Sequence, residues 1–201
     1  MIFLTDFADQ AVVLPLVAVI ALVLAAGGWT RAALLWLGAV GLTFTVVLGG
    51  KLGFLACAPV FGPWAIHSPS GHTAAAAMVA GGLAVLLSAR PAAAWPAAML
   101  AAAAIGASRV VLGFHSVPEV LLGGAIGTAG AVLFARHAHG ASAPRLFRHR
   151  AALVAVLLAV ALPLHGARLP AEAAIWRASH GMLDFVPACQ GKAAGGMTDV
   201  L

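Results

Sequence analysis

Polar residues interrupt this apolar sequence at four places, and their types suit chemistry on a phosphate group. They are Lys51, Pro69-Ser70-Gly71-His72, Ser108-Arg109 and His115-Ser116-Val117-Pro118-Glu119. A lysine and an arginine can both bind phosphate oxygens, and the planar guanidinium can hold two at once. Ser70 and Gly71 precede an alanine-rich stretch, so a helix beginning there would present backbone N–H groups to an anion. These residue types predict a phosphate-binding site.

Two histidines could supply the reactive groups at such a site. His115 and Glu119 are four residues apart, so on one helical turn the carboxylate can hold one ring nitrogen and leave the other free to attack. His72 is a second imidazole that can give or take a proton. Each feature alone has an ordinary structural explanation, such as a membrane-interface anchor for Lys51. Their joint order favours a phosphoryl-transfer site with a nucleophile, an acid and anion-binding groups.

The composition is that of a membrane protein. Of 201 residues, 63% are hydrophobic and only 8% are charged, and the mean hydropathy is +1.04. A soluble domain has roughly a quarter of its residues charged. The formal charge of +5 could suggest nucleic acid, but the cations lie between apolar blocks and no nucleic-acid partner is expected. The sequence predicts one all-α membrane domain over residues 1–201.

Uncharged stretches predict about six transmembrane helices, since a span needs about 20 mainly apolar residues. Their approximate limits are Ala11–Ala26, Ala32–Gly50, Thr73–Ala89, Ala93–Ala107, Pro118–Ala135 and Ala151–Ala167. The first is interpreted as a retained span and not a signal peptide, because acidic Asp6 and Asp9 precede it where a signal peptide carries basic residues. Residues 168–201 are predicted to form a tail with a short amphipathic helix from about Glu172 to Met182.

The cations predict the orientation of these spans. The loops after spans one, three and five contain cations and no acid, namely Arg31, Arg90, Arg136, Arg145, Arg148 and Arg150. Short cation-rich loops stay in the cytoplasm, so the four polar groups and both termini are expected on the outer side. Gly123 and Gly127 are spaced for close helix packing, although a general bias towards small residues would explain them equally well.

The polar groups resemble the three-part signature of the type-two phosphatidic acid phosphatase superfamily, also called lipid phosphate phosphatases. The first part matches Lys51, with Ala58-Pro59 where the pattern has Arg-Pro. The second part, residues 69–72, is complete. The third runs from Ser108-Arg109 to His115 and ends in Glu119 where the pattern has Asp. The resemblance covers a core of residues 51–135.

This resemblance implies a role for each matching residue. His115 would attack phosphorus and form a phosphohistidine, Glu119 would orient it, and His72 would protonate the leaving group and later activate water. The residues expected to hold the phosphate oxygens are Lys51, Ser70, Gly71 and Arg109. Because Ala58 replaces the Arg of the pattern, His67 is the candidate for the missing cation. Neither a metal nor another cofactor is expected.

The expected function is an integral-membrane lipid phosphatase acting at the outer face of a bacterial inner membrane, among membrane lipids. Prenyl pyrophosphates, phosphatidylglycerol phosphate, phosphatidic acid and lipid A phosphates all remain candidate substrates. Two alternatives stay open: a lipid phosphotransferase with the same intermediate, and a non-catalytic phospholipid binder or transporter. Cys57 and Cys189, both predicted to lie outside, either form a disulfide or are two unpaired thiols.

Overall fold

The computed structural model describes residues 1–56, 68–138 and 150–169, together with Ile175 and Arg177. These ranges are all-α, as predicted, and form seven α-helices with one 3-10 turn at Pro91–Ala93. The helices are α1 (Ile2–Asp6), α2 (Gln10–Ala26), α3 (Thr30–Ala56), α4 (Gly71–Ser88), α5 (Ala94–Val111), α6 (Val117–Ala138) and α7 (Arg150–Leu164). Cys57, Cys189 and most of the helix predicted from Glu172 to Met182 lie outside the described residues.

Four helices are long and apolar enough to cross a membrane. They are Thr30–Phe54 in α3, α4, α5 with its preceding 3-10 turn, and α6. α2 and the Leu153–Leu164 part of α7 are apolar but shorter. With 17 residues, α2 rises about 25 Å, against a hydrocarbon core of about 30 Å. The four long helices indicate an integral membrane protein; the two further predicted spans stay a prediction.

Helix α4 lies at the centre of the bundle. Its Ala74, Ala75 and Ala77 are completely buried, because alanine side chains let α3, α5 and α6 pack closely around it. Trp36 of α3 is also fully buried and fits against Gly82, where an added methyl group would overlap the indole ring. The indole Nε1 donates to the Val17 carbonyl oxygen at 3.1 Å, which satisfies its one polar atom.

Two glycines bring α6 against the backbone of α4. A methyl group added at Gly123 would overlap the carbonyl oxygen of Ser70, and one added at Gly127 would overlap that of Ala74. The four-residue spacing seen in the sequence therefore coincides with direct backbone contact. Since Ser70 immediately precedes α4, this contact fixes where the start of α4 lies relative to α6.

The two ends of the described chain are held together by a contact that we call the clasp, formed by α1 and residues 165–169. His165 Nε2 lies 2.8 Å from the carbonyl oxygen of Phe3. Its ring packs against Phe3 and Phe7, with centroids 4.3 and 4.4 Å away. Arg168 Nη2 pairs with Asp6 Oδ1 at 3.2 Å. The clasp places the start of α2 and the end of α7 at the same end of the bundle.

The contact between α4 and α6 predicts a strong effect of one methyl group. Gly123→Ala should lower the free energy of unfolding by about 1 to 3 kcal/mol, the usual effect of overpacking a close contact. Gly41→Ala is the matched control, since the added methyl group on α3 would meet no atom within 4 Å. Thermal unfolding in detergent, followed by circular dichroism, measures both. Equal melting temperatures for the two variants would contradict the close contact.

Candidate active site

The carboxylate of Glu119 joins three segments of the chain. Oε1 accepts a hydrogen bond from the Ser68 backbone N–H at 2.9 Å. Oε2 accepts one from the Ser116 N–H at 2.9 Å and lies 3.0 Å from His115 Nδ1. Glu119 is the third residue of α6, from which a glutamate can reach back to the residue that precedes the helix. The side chain is buried, and its position is set by these contacts.

His115 lies in a bend two residues before α6, not within a helical turn as the sequence spacing predicted. It meets Glu119 because the carboxylate folds back over the start of the helix. Burial lowers the pKa of His115 below 6.5, since it disfavours the charged ring, and Lys51 and Arg109 lower it further. The hydrogen bond and charge of Glu119 oppose this by raising it. The ring is therefore mainly neutral at pH 7, with Nε2 unprotonated when Nδ1 donates to Glu119.

The start of α4 lies directly beside this pair. Ser70 caps the helix: its Oγ accepts from the Thr73 backbone N–H at 3.5 Å and from Thr73 Oγ1 at 2.9 Å. The Ser70 N–H donates to the Glu119 carbonyl oxygen at 3.0 Å. Ser70 is completely buried. Gly71 follows as the first helical residue, so its N–H group points out of the helix end, where an anion would be stabilised.

Lys51 lies next to Gly71, although the two are on different helices. A methyl group added to Gly71 would lie 3.6 Å from Lys51 Cε. Lys51 is 3% exposed and lies inside α3, which continues to Ala56, whereas the sequence predicted that the span ends at Gly50. Lys51 therefore places a buried cation beside the start of α4.

Arg109 reaches the same region from the last turn of α5. Gly113, with φ +71°, ends this helix in the left-handed conformation that glycine adopts without strain. The chain then reverses, and the Phe114 N–H donates to the Arg109 carbonyl oxygen at 3.0 Å, the pattern of a Schellman motif. This reversal stacks the Arg109 guanidinium 4.4 Å from the centroid of the Phe114 ring. The motif thus holds Arg109 near His115, the residue after Phe114.

His72 has a carboxylate partner that the sequence analysis did not identify. Its Nε2 lies 3.5 Å from Asp9 Oδ2, with both side chains mostly buried. The other oxygen of Asp9, Oδ1, accepts from Ala11 N–H at 2.9 Å, which caps α2, and from Leu169 N–H at 3.3 Å. In the sequence, Asp9 indicated only that the first apolar stretch is not a signal peptide. One signal could have indicated this partner of His72. Asp9 is an acidic residue at the start of an apolar helix, in a chain with few acidic residues.

The structure therefore brings seven of the eight predicted site residues to one end of the bundle, which we call the active-site end. They are Lys51, Ser70, Gly71, His72, Arg109, His115 and Glu119. The eighth, His67, lies outside the described residues. In the described ranges, no three His, Cys, Asp or Glu side chains are grouped in a way that could hold a metal ion.

Comparison with protein families gives a match over part of the chain. The PAP2 superfamily matches residues 53–142. The chain carries a PAP2 superfamily domain. The matched range includes the start of α4, Arg109, His115 and Glu119, and it begins two residues after Lys51. Comparison with curated proteins and with solved structures found no match. Members of the PAP2 superfamily are typically phosphatases, so the family implies a phosphate ester as substrate.

The surroundings of His115 in the PAP2 domain predict how its pKa responds to substitution. Lys51→Met removes a positive charge that disfavours the protonated ring, so the pKa of His115 should rise. Glu119→Gln removes a negative charge that favours the protonated ring, so the pKa of His115 should fall further below 6.5. A ¹⁵N-histidine NMR titration in micelles, with His115→Ala to assign the signal, measures both shifts. Shifts in the same direction for the two variants would contradict these surroundings.

Proposed function

We propose that the protein is a membrane phosphatase that hydrolyses a phosphomonoester or pyrophosphate of a lipid through a phosphohistidine on His115. The observation that carries the proposal is the contact between His115 Nδ1 and Glu119 at 3.0 Å. This contact fixes which ring nitrogen is held, and so assigns attack to Nε2. A lowered pKa keeps that nitrogen unprotonated at neutral pH.

In the first step, His115 Nε2 attacks phosphorus and the bond from phosphorus to the leaving oxygen breaks. Lys51 and Arg109 neutralise the negative charge on the phosphoryl oxygens, together with backbone N–H groups at the start of α4 that include Gly71. His72 gives its proton to the leaving oxygen, so the lipid departs as an alcohol or, from a pyrophosphate, as a lipid monophosphate. Ser70 keeps the helix start in place.

In the second step, water attacks the phosphohistidine. His72 accepts a proton from the water as the new oxygen–phosphorus bond forms and the bond to His115 breaks. Inorganic phosphate is released, and His72 is protonated again for the next cycle. Glu119 stabilises the positive ring of the intermediate, since its carboxylate remains hydrogen-bonded to Nδ1.

A cavity of about 310 Å³ supports a lipid as the substrate. Asp9, Lys51 and His72 form its polar wall. The rest of its lining is almost entirely apolar and is supplied mainly by α2 and α3, with Leu14, Phe44, Val47, Leu48, Leu169 and Ile175. A phosphate at the polar wall would therefore have apolar surface beside it for the first part of a hydrocarbon chain.

The distribution of cations supports an active site on the outer side of the membrane. Arg31 begins α3, Arg90 lies between α4 and α5, and Arg136 lies in the last turn of α6. These positions are at the opposite ends of the helices that supply the site. Since cation-rich loops remain in the cytoplasm, the active-site end would face outward.

Replacing the nucleophile tests the function. His115→Ala should lower phosphate release from lipid phosphates by roughly 1000-fold or more, the scale of losing a covalent nucleophile. The wild type, quenched during turnover of a ³²P-labelled lipid, should carry acid-labile, base-stable label on one histidine. His137→Ala is the control, since this exposed histidine lies at the far end of α6. Phosphate release that survives His115→Ala would overturn the assignment.

A further prediction comes from the sequence alone, in which Ala58 stands where the family pattern has Arg. His67 and Ala58 both lie outside the described residues. If His67 replaces the missing cation, His67→Ala should lower kcat/KM by about 10-fold, less than the roughly 100-fold or more of a full oxyanion contact. Adding Ala58→Arg to that variant should restore kcat/KM to about the wild-type value. Full activity in His67→Ala would show that His67 does not bind the phosphate.

A further inference from the structure

Asp9 and His72 form a second histidine–carboxylate pair at the active-site end. The first pair, His115 and Glu119, is local in sequence, whereas Asp9 and His72 come from the starts of two different helices, α2 and α4. Asp9 is 8% exposed, and its Oδ2 lies 3.5 Å from His72 Nε2. Both residues line the cavity that also contains Lys51. The pair therefore lies on the wall where the phosphate would bind.

The electrostatics around His72 make an anionic partner necessary for a general acid. His72 is the second residue of α4, where the helix dipole places positive partial charge. Lys51, which carries a positive charge, lines the same cavity. Both disfavour a protonated imidazole, which is the form that can give a proton to a leaving group. A carboxylate at ion-pair distance offsets them.

The contacts of Asp9 keep its carboxylate in place. Oδ1 accepts from the N–H groups of Ala11 and Leu169 at 2.9 and 3.3 Å. These two hydrogen bonds leave Oδ2 directed towards His72. The positive end of α2 also stabilises the negative charge of Asp9. A fixed carboxylate can orient an imidazole, as Glu119 does for His115.

We propose that Asp9 is a positioning residue for proton transfer by His72, an inference that rests on the proposed phosphatase function. Asp9 holds Nε2 of the protonated ring, so Nδ1 delivers the proton to the leaving oxygen as the phosphorus–oxygen bond breaks. The ring is then neutral and takes a proton from the attacking water in the second step. Asp9 itself neither gains nor loses a proton and acts on the leaving group only through His72.

The test compares substrates that differ in their need for a general acid. An alkyl phosphate leaves as a basic alkoxide and needs the proton, whereas p-nitrophenyl phosphate has a stable leaving group. The comparison uses kcat/KM, because kcat/KM reports the steps up to formation of the phosphohistidine and leaves out the water step that both substrates share. Asp9→Asn should lower kcat/KM on the alkyl phosphate by about 10-fold to 100-fold, part of the roughly 100-fold to 10 000-fold that general acid–base catalysis supplies. Its kcat/KM on p-nitrophenyl phosphate should change only a few fold.

The choice of variants separates this role from a structural one. Asn caps a helix as well as Asp does, so Asp9→Asn keeps the contacts to Ala11 and Leu169 while removing the charge. Asp9→Glu should recover part of the lost rate. Asp6→Asn is the matched control: it removes the negative charge of the ion pair with Arg168 but leaves the Asp9–His72 pair intact, and it should retain wild-type kinetics on both substrates.

The outcomes distinguish this inference from the function on which it rests. Equal losses of kcat/KM on both substrates in Asp9→Asn would overturn the positioning role in leaving-group protonation and leave the phosphatase function standing. Wild-type kcat/KM on both substrates in Asp9→Asn would also overturn the positioning role and leave the phosphatase function standing. A wild-type protein that hydrolyses neither these two substrates nor a lipid phosphate would overturn both proposals.

Discussion

The buried carboxylate of Glu119 is the group on which the arrangement of the active-site end depends. Three helices begin or end in the segments around it, and its two oxygens contact Ser68, His115 and Ser116. The Glu119 carbonyl oxygen also accepts from Ser70 N–H. The same residue therefore ties the start of α4 to the start of α6 and orients the histidine between α5 and α6. An unpaired carboxylate would be strongly unfavourable at this depth, so these contacts also stabilise Glu119 itself.

Several helix ends meet at the active-site end, and they concentrate charge there in an otherwise apolar bundle. α4 and α6 present their positive starts there, and α5 presents the negative end that stabilises Arg109. Lys51 and Arg109 bring full positive charges, which suit an anionic substrate but disfavour protonated histidines. Glu119 and Asp9 offset this charge, one for each histidine. The two pairs suit different parts of the proposed reaction: a lowered pKa suits His115 to attack, while the ion pair suits His72 to carry a proton.

Much of this site could be predicted from the sequence because its residues are grouped by short, regular spacings. The capping contact between Glu119 and Ser116 and the turn at Gly113 are local, so a four-residue spacing was enough to pair His115 with Glu119. The prediction placed His115 in a helix, whereas it precedes one, because capping and helical contacts share the same spacing. The predicted end of α3 was also wrong. A lysine ends an apolar run in the sequence, but it does not end a helix when its aliphatic stem can be buried.

Asp9 could not be placed by spacing, because its partner His72 is on another helix and the contact depends on how α2 packs. Helix α2 packs against α3 and α7, and the segment that follows α7 returns to the start of α2. Leu169, the residue after Arg168, donates to Asp9 itself. The position of the Asp9 carboxylate is thus determined jointly by the first helices and by the segment after α7. His72, which we propose as the proton-transfer residue, lies within the range that matches the PAP2 superfamily, and its carboxylate partner is held by residues on both sides of that range.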